Sequence, residues 1–216
     1  MKRTIYAAIL LTTLGMTLLL PADLLSQAPG KKNDLDEKVK TFLEKRQGTW
    51  RDLNVPASDG KILYDLIIQN KYKRALEIGT STGHSTIFIA WALSKTGGKV
   101  ITIEIDRKRH RQALANFKEA GLSDYIDARL ADAHRLVEEL PGSFDFVFCD
   151  ADKEWYKNYF IDIYPKLETG GCFAAHNVST RSWGMGEGTR EFSDYVKSLP
   201  SMKTTVDESG GGLSIS

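Results

Sequence analysis

The 216 residues carry 29 Lys and Arg against 28 Asp and Glu, a formal net charge of +1, with 42% hydrophobic and 26% charged residues. Such a balance lacks the basic footprint of a nucleic-acid binder, so no partner of that kind is expected. The length suits one domain with an N-terminal appendage, and it buries enough core to fold without disulfides or a structural metal.

Lys2 and Arg3 precede an apolar run from Ile5 to Leu20, then Pro21 and a small-residue stretch ending at Ala28. This is the layout of a secretory signal, with Ser26-Gln27-Ala28 as its cleavage site. Pro29 sits awkwardly after that site, which leaves a retained short anchor as one alternative and a cytoplasmic amphipathic extension as another. The run is shorter than the roughly 20 residues of a spanning helix, and Thr12, Thr13, Gly15 and Thr17 interrupt it. Residues 1–28 are therefore set apart, with any membrane contact confined to them; 29–33 read as a linker and 34–216 as the domain.

A helix is expected from about Asp34, with Leu35, Val39, Phe42 and Leu43 on one face. Arg51 to Ser58 is a Pro-containing loop, and Ser58 or Asp59 can cap a helix carrying Ile62, Leu63, Leu66 and Ile67. Strands are then expected at Arg74–Ile78, Lys99–Ile105, Tyr125–Ala128, Phe144–Asp150 and Gly171–Ala175. Helices fall between them, at Ser85–Ser94, Arg107–Ala120, Ala133–Leu140 and Trp155–Leu167. Val100–Ile103 and Phe146–Cys149 are nearly continuous apolar runs, as parallel strands covered on both faces should be. The rhythm points to an α/β fold with a doubly wound, mostly parallel sheet and helices on both faces. Lys203–Val206, Gly210-Gly211-Gly212 and Leu213–Ile215 read as an antiparallel hairpin closing one edge. The basic cluster Arg107 to Arg111 opens a helix beside Glu104 and Asp106, and reads as a solvated face. Cys149 and Cys172 sit in neighbouring strands three residues out of register, too far apart for a disulfide, so both are expected as buried thiols.

Strand one runs into Glu77-Ile78-Gly79-Thr80-Ser81-Thr82-Gly83-His84-Ser85. Glycines there let the backbone turn sharply and approach a ligand at the strand C-termini. A dinucleotide fingerprint would need glycine where Ser81 and His84 stand, and no Lys serves a phosphate loop, so diphosphate binding is disfavoured. A ligand without phosphates but with an amino-acid tail fits better. Glu104 ends the next strand, 25 residues after Gly79, where a carboxylate can accept from both hydroxyls of a ribose.

The stretches ALEIGTSTGHST (Ala75–Thr86), VITIEID (Val100–Asp106) and FDFVFCDADKEWYKNY (Phe144–Tyr159) resemble the cation-dependent O-methyltransferases, whose familiar members act on caffeoyl-CoA and catechol. The likeness runs from about Val55 to the C-terminus. It implies a seven-stranded sheet of order 3-2-1-4-5-7-6 with the last strand antiparallel, and S-adenosylmethionine as cofactor. By the same resemblance, the backbone around Gly79 and Thr80 and the Ser85 hydroxyl would hold the methionine moiety, with Glu77 supporting the loop. Glu104 would grip the ribose, Asp132 and Ala133 would border the adenine, and Val55 and Asp150 would complete the cofactor contacts. His84 stands where the family usually has Tyr, and packing and ligand contact are equally open to it.

Asp150 ends strand four and His176-Asn177 ends strand five; as neighbours about 4.8 Å apart, these strands gather three potential metal ligands beside the turn. A catechol binds a cation through two oxygens, which acidifies its hydroxyl and aims the oxygen at the methyl group. The family usually has Asp where this chain has His176. Imidazole in place of carboxylate moves the preference from Mg²⁺ towards Mn²⁺ or another transition metal; the alternative is that His176 is a loop residue and the metal is lost. Lys153 matches the family's catalytic Lys, which takes the proton of the reacting hydroxyl beside Asp150. Asp152 either orients the substrate or caps a helix. Trp183, in a Gly-rich loop, would stack on a planar substrate, with Trp155 and Tyr156 as alternative walls or packing residues. The expected activity is metal-assisted methyl transfer from S-adenosylmethionine to a small catechol-like aromatic. A non-catalytic binding module on the same fold is the rival, and an NAD-linked oxidoreductase is disfavoured by the missing glycines. Family members are commonly homodimers, a role the helix from Asp34 could serve. Export of the domain and supply of a cytoplasmic cofactor pull the localisation in opposite directions.

Overall fold

Alternation along the chain becomes one seven-stranded sheet in the computed structural model, which describes residues 29–180 and 185–216. Its strands are β1 (Arg74–Ile78), β2 (Lys99–Glu104), β3 (Ile126–Leu130), β4 (Phe144–Cys149), β5 (Leu167–His176), β6 (Thr205–Asp207) and β7 (Leu213–Ile215). The order is β3-β2-β1-β4-β5-β7-β6, with β7 antiparallel to both neighbours and the other pairs parallel, as expected. The helices are α1 (Pro29–Lys45), α2 (Ala57–Asn70), α3 (His84–Thr96), α4 (Arg107–Ala120), α5 (Ala133–Glu139), α6 (Tyr156–Ile163) and α7 (Glu187–Ser198).

Two apolar layers enclose the sheet, and β4 explains why its sequence is apolar at successive positions. Phe146 and Phe148 face a core with Leu63 and Ile67 of α2 and Ile89 and Leu93 of α3. Val147 and Cys149 face the other core, with Phe160 of α6, Phe173 of β5, and Phe192 and Val196 of α7. Successive strand residues point to opposite faces, so a strand covered on both sides must be apolar throughout. Phe146 pairs with Cys172, which puts Cys149 three positions further along; both cysteines are buried free thiols, and burial pushes Cys172 up to about 12.

Several expectations need correction. Residues 29–33, read as a linker, are the start of α1; Pro29 does not break it, because first-turn N–H groups have no intrahelical acceptor. Neither Ser58 nor Asp59 caps α2, whose N-cap is Pro56 with no side-chain bond; Asp59 turns inward instead. The helix expected to reach Leu167 ends at Ile163 and tightens into a 3₁₀ turn at Tyr164–Lys166, where Pro165 has no N–H to continue the ladder. Helix α7 was not anticipated, although Phe192, Val196 and Leu199 recur at helical spacing. Residues 1–28 and Trp183 lie outside the described residues.

Register positions the site. Ile78 pairs with Ile103 and with Cys149, and Cys149 pairs with Ala175. The residues that follow, Glu104, Gly79, Asp150 and His176, therefore stand in one row at the C-terminal edge of four adjacent strands.

Candidate active site

At the head of that row Gly79 takes φ +100°, and a Cβ there would overlap the Asp150 carbonyl. Only glycine lets the first turn approach β4 so closely. The Gly79 and Thr80 N–H groups both donate to the Ile103 carbonyl at 3.1 Å, pinning the turn from behind.

In front of it opens a cavity of about 410 Å³ bordered by Gly79, Glu104, Asp132, Ala133, Asp150 and Asp152, all singled out in the sequence. Ser81, Ile105 and His134 border it as well and were not foreseen. Glu104 accepts the Ser81 N–H at 2.7 Å and the Asp106 N–H at 2.8 Å, one on each oxygen, which leaves further lone pairs for a ligand. Ser81 adopts a left-handed φ of +49°, and its buried Oγ has no partner. An unpaired buried hydroxyl costs about 1–3 kcal/mol, and one at this turn fits the polar amino-acid end of S-adenosylmethionine. Asp132 caps α5 through the His134 N–H at 3.0 Å, and Asp152 caps the next 3₁₀ turn through the Glu154 N–H at 3.2 Å. Between them His134 stacks on Trp155, ring centroids 4.3 Å apart, so Trp155 is half of an aromatic pair at the cavity mouth.

Other residues singled out in the sequence lie beneath or beside the cavity. Glu77 is fully buried under the turn and accepts from the Thr86 hydroxyl and, at 2.5 Å, from the Thr102 hydroxyl, both on Oε2. Burial raises its carboxyl to about 7 despite those donors, and its Oε1 has no partner. Ser85 is buried beside Glu77, and Thr80 Oγ1 lies 2.5 Å from Thr102 Oγ1 on the same side. Val55 borders a separate cavity of about 470 Å³, and its carbonyl accepts His84 Nδ1–H at 2.8 Å. His84 also stacks on Trp50 at 4.4 Å; burial lowers its pKa, so it is a neutral packing residue that anchors the 50–56 loop.

Asp150 links the cavity to the charged cluster. Lys153 donates to one of its oxygens and also, at 2.7 Å, to the Tyr156 hydroxyl. Tyr156 is 0% exposed, which rules it out as a substrate wall; its hydroxyl lies 3.0 Å from the Cys149 carbonyl and 3.2 Å from the His176 carbonyl, tying β4 to β5. His176 Nδ1 faces the other Asp150 oxygen at 3.4 Å, and its Nε2 donates to Asp59 at 2.8 Å. Burial alone would depress the imidazole, but the two carboxylates outweigh it and raise His176 to about 9. Burial works equally against Asp150, yet His176 and Lys153 hold its carboxyl below the usual range. Asn177 follows in the left-handed region, φ +57°, and is exposed.

Among the described residues, no three His, Cys, Asp or Glu side chains are grouped to hold a metal, so a cation here needs the Asn177 amide as its third protein ligand. The donor set fits one. A carboxylate, an imidazole and an amide oxygen are donors that divalent cations accept; with no ion between them, Asp150 and His176 Nδ1 form an ion pair at 3.4 Å.

Known proteins resemble the chain in sequence and in fold. A catechol O-methyltransferase of Niastella koreensis is 41% identical over 130 residues, 58% of each chain. A caffeoyl-CoA O-methyltransferase of Populus kitakamiensis is 32% identical over 158 residues, 71% of this chain and 66% of the relative. The matched stretches thus span less than two thirds of these relatives' length. Among solved structures, an O-methyltransferase from Bacillus cereus in complex with SAH superposes with a TM-score of 0.69 at 25% identity, covering 90% of this chain and 93% of the other. TomG from Streptomyces achromogenes, solved with SAM, gives 0.70 at 26% identity, covering 83% and 88%. The family model described as O-methyltransferase matches residues 28–189, three quarters of the sequence, and the chain belongs to that family.

Proposed function

We propose that the chain transfers the methyl group of S-adenosylmethionine to a hydroxyl of a small catechol-like aromatic, assisted by a divalent cation at Asp150, His176 and Asn177. The observation that carries this reading is the double membership of Asp150, which borders the cofactor cavity and pairs with both Lys153 and His176. The relatives named for caffeoyl-CoA and catechol support the acceptor class.

The Ser81 hydroxyl receives the amino-acid end of the cofactor, the N–H groups of the turn being held by Ile103 and Glu104, and Glu104 receives the ribose. Bound S-adenosylmethionine supplies an electrophilic methyl, and a cation would acidify and orient the acceptor hydroxyl. Lys153 Nζ would take the hydroxyl proton as the acceptor oxygen gained the methyl group, the pair of the broken carbon–sulfur bond remaining on sulfur. Lys153 now donates to Asp150 and Tyr156, so it serves as base only after losing one proton. Asp150 and Tyr156 fix where that nitrogen stands. Asp152 at the mouth orients the acceptor.

Purified protein incubated with labelled cofactor, a catechol panel and Mg²⁺ or Mn²⁺ tests the reading. Methyl transfer that stops on chelation is expected; no transfer with any metal contradicts it. A second reading, a non-catalytic binding module, draws on the charge balance of the line Asp59, His176, Asp150 and Lys153, which is neutral without a cation. Cofactor binding by calorimetry without turnover would favour that one.

A further inference from the structure

Asp59 stands behind His176, at a place no motif marks. It is 1% exposed, accepts His176 Nε2–H and the Gly211 N–H at 2.8 Å each, and lies 3.2 Å from the Ser58 hydroxyl. The other ring nitrogen, Nδ1, faces Asp150. One end of the imidazole is therefore held by α2, and the other is offered to the end of β4. The glycine run between β6 and β7 closes over this contact. A Cβ at Gly210 would overlap the Asp59 carboxylate, and one at Gly211 would come within 2.5 Å of His176 Nε2. Gly212 turns at φ +84° and its carbonyl accepts the Val178 N–H at 3.1 Å, locking the loop against β5. Helix, strand and hairpin are all shaped around one carboxylate–imidazole pair.

We propose that Asp59 is a positioning residue for His176, holding Nε2–H behind the site so that Nδ1 is the nitrogen presented to a divalent cation beside Asp150. This rests on the cation reading above. A carboxylate in that position orients a ligating imidazole and strengthens its other nitrogen as a donor, and losing such a partner weakens metal binding by about 10–100-fold. A buried pair that served folding alone would change stability and leave metal affinity untouched.

Asp59→Asn preserves shape and still offers Gly211 an acceptor. Mn²⁺ alone is titrated into wild type and variant, free ion being read by electron paramagnetic resonance, with cofactor affinity measured by calorimetry alongside. The expected result is a Kd for Mn²⁺ at least about tenfold weaker in the variant, with cofactor affinity held within twofold. Unchanged Mn²⁺ affinity in a folded variant overturns the inference. Should Asp59→Asn not fold, Gly211→Ala displaces the ring without deleting its partner; the same weakening is expected, and its absence is equally decisive. Wild type that binds no Mn²⁺ overturns both the cation reading and this inference, whereas wild-type binding that neither variant alters overturns this inference alone.

Discussion

Lys153 contacts two acceptors, the Asp150 carboxylate and the Tyr156 hydroxyl, and its removal separates chemistry from binding. Lys153→Met should lower kcat by about 10²–10⁴-fold, the usual contribution of a positioned base, and leave cofactor affinity within a fewfold by calorimetry. An equal loss of both would mean that the side chain supports the pocket rather than the reaction. Ser81 makes the complementary test. Its Oγ is buried without a partner, so Ser81→Ala should raise Tm by a few degrees, yet weaken the cofactor by about tenfold, the worth of one hydrogen bond to a charged group. Unchanged affinity would remove Ser81 from the site. Neither Ser81 nor Asp59 was legible in the sequence. Ser81 looked like a missing glycine, because only the backbone reveals that it takes a left-handed conformation itself. Asp59 looked like a helix cap, and its partner His176 lies 117 residues away.

Among the elements, those framed by local signals were read closely. β1 was expected at Arg74–Ile78 and α4 at Arg107–Ala120, as observed; Gly79 ends the first, Asp106 caps the second and Gly121 closes it in the left-handed region. Helix α7 escaped because it follows a Gly-rich segment with no side-chain cap, although its packing is extensive. Phe192 lies edge-on to Tyr156 at 5.8 Å and to Phe160 at 6.0 Å, and a Cβ on Gly188 would overlap the Lys153 carbonyl. The helix thus buttresses the turn that carries Lys153. Phe192→Ala should cost about 3–5 kcal/mol of stability in urea unfolding; a loss under about 1 kcal/mol would show that the layer collapses around the gap.

For the whole molecule, a parallel sheet wound through βα units was evident from periodicity, and resemblance supplied the strand order that periodicity leaves open. Its most buried acid gives a pH signature. Burial holds Glu77 at about 7 against an ordinary 4.5. Between those values the folded chain keeps a proton that the unfolded chain has lost, so stability falls as pH rises through the window. Tm should therefore be higher near pH 5 than near pH 8, and Glu77→Gln should flatten that slope; an unaltered slope would locate the dependence elsewhere.

The direct test of a cation and a methyl donor meeting at the end of β4 is a crystal soaked with Mn²⁺ and S-adenosylmethionine, read by anomalous scattering. The expected map has a manganese peak within bonding distance of Asp150 and His176 Nδ1, and cofactor density against Gly79 and Ser81. A cofactor-filled cavity with no manganese peak, or side chains at 150, 176 and 177 turned away from one another, would contradict it.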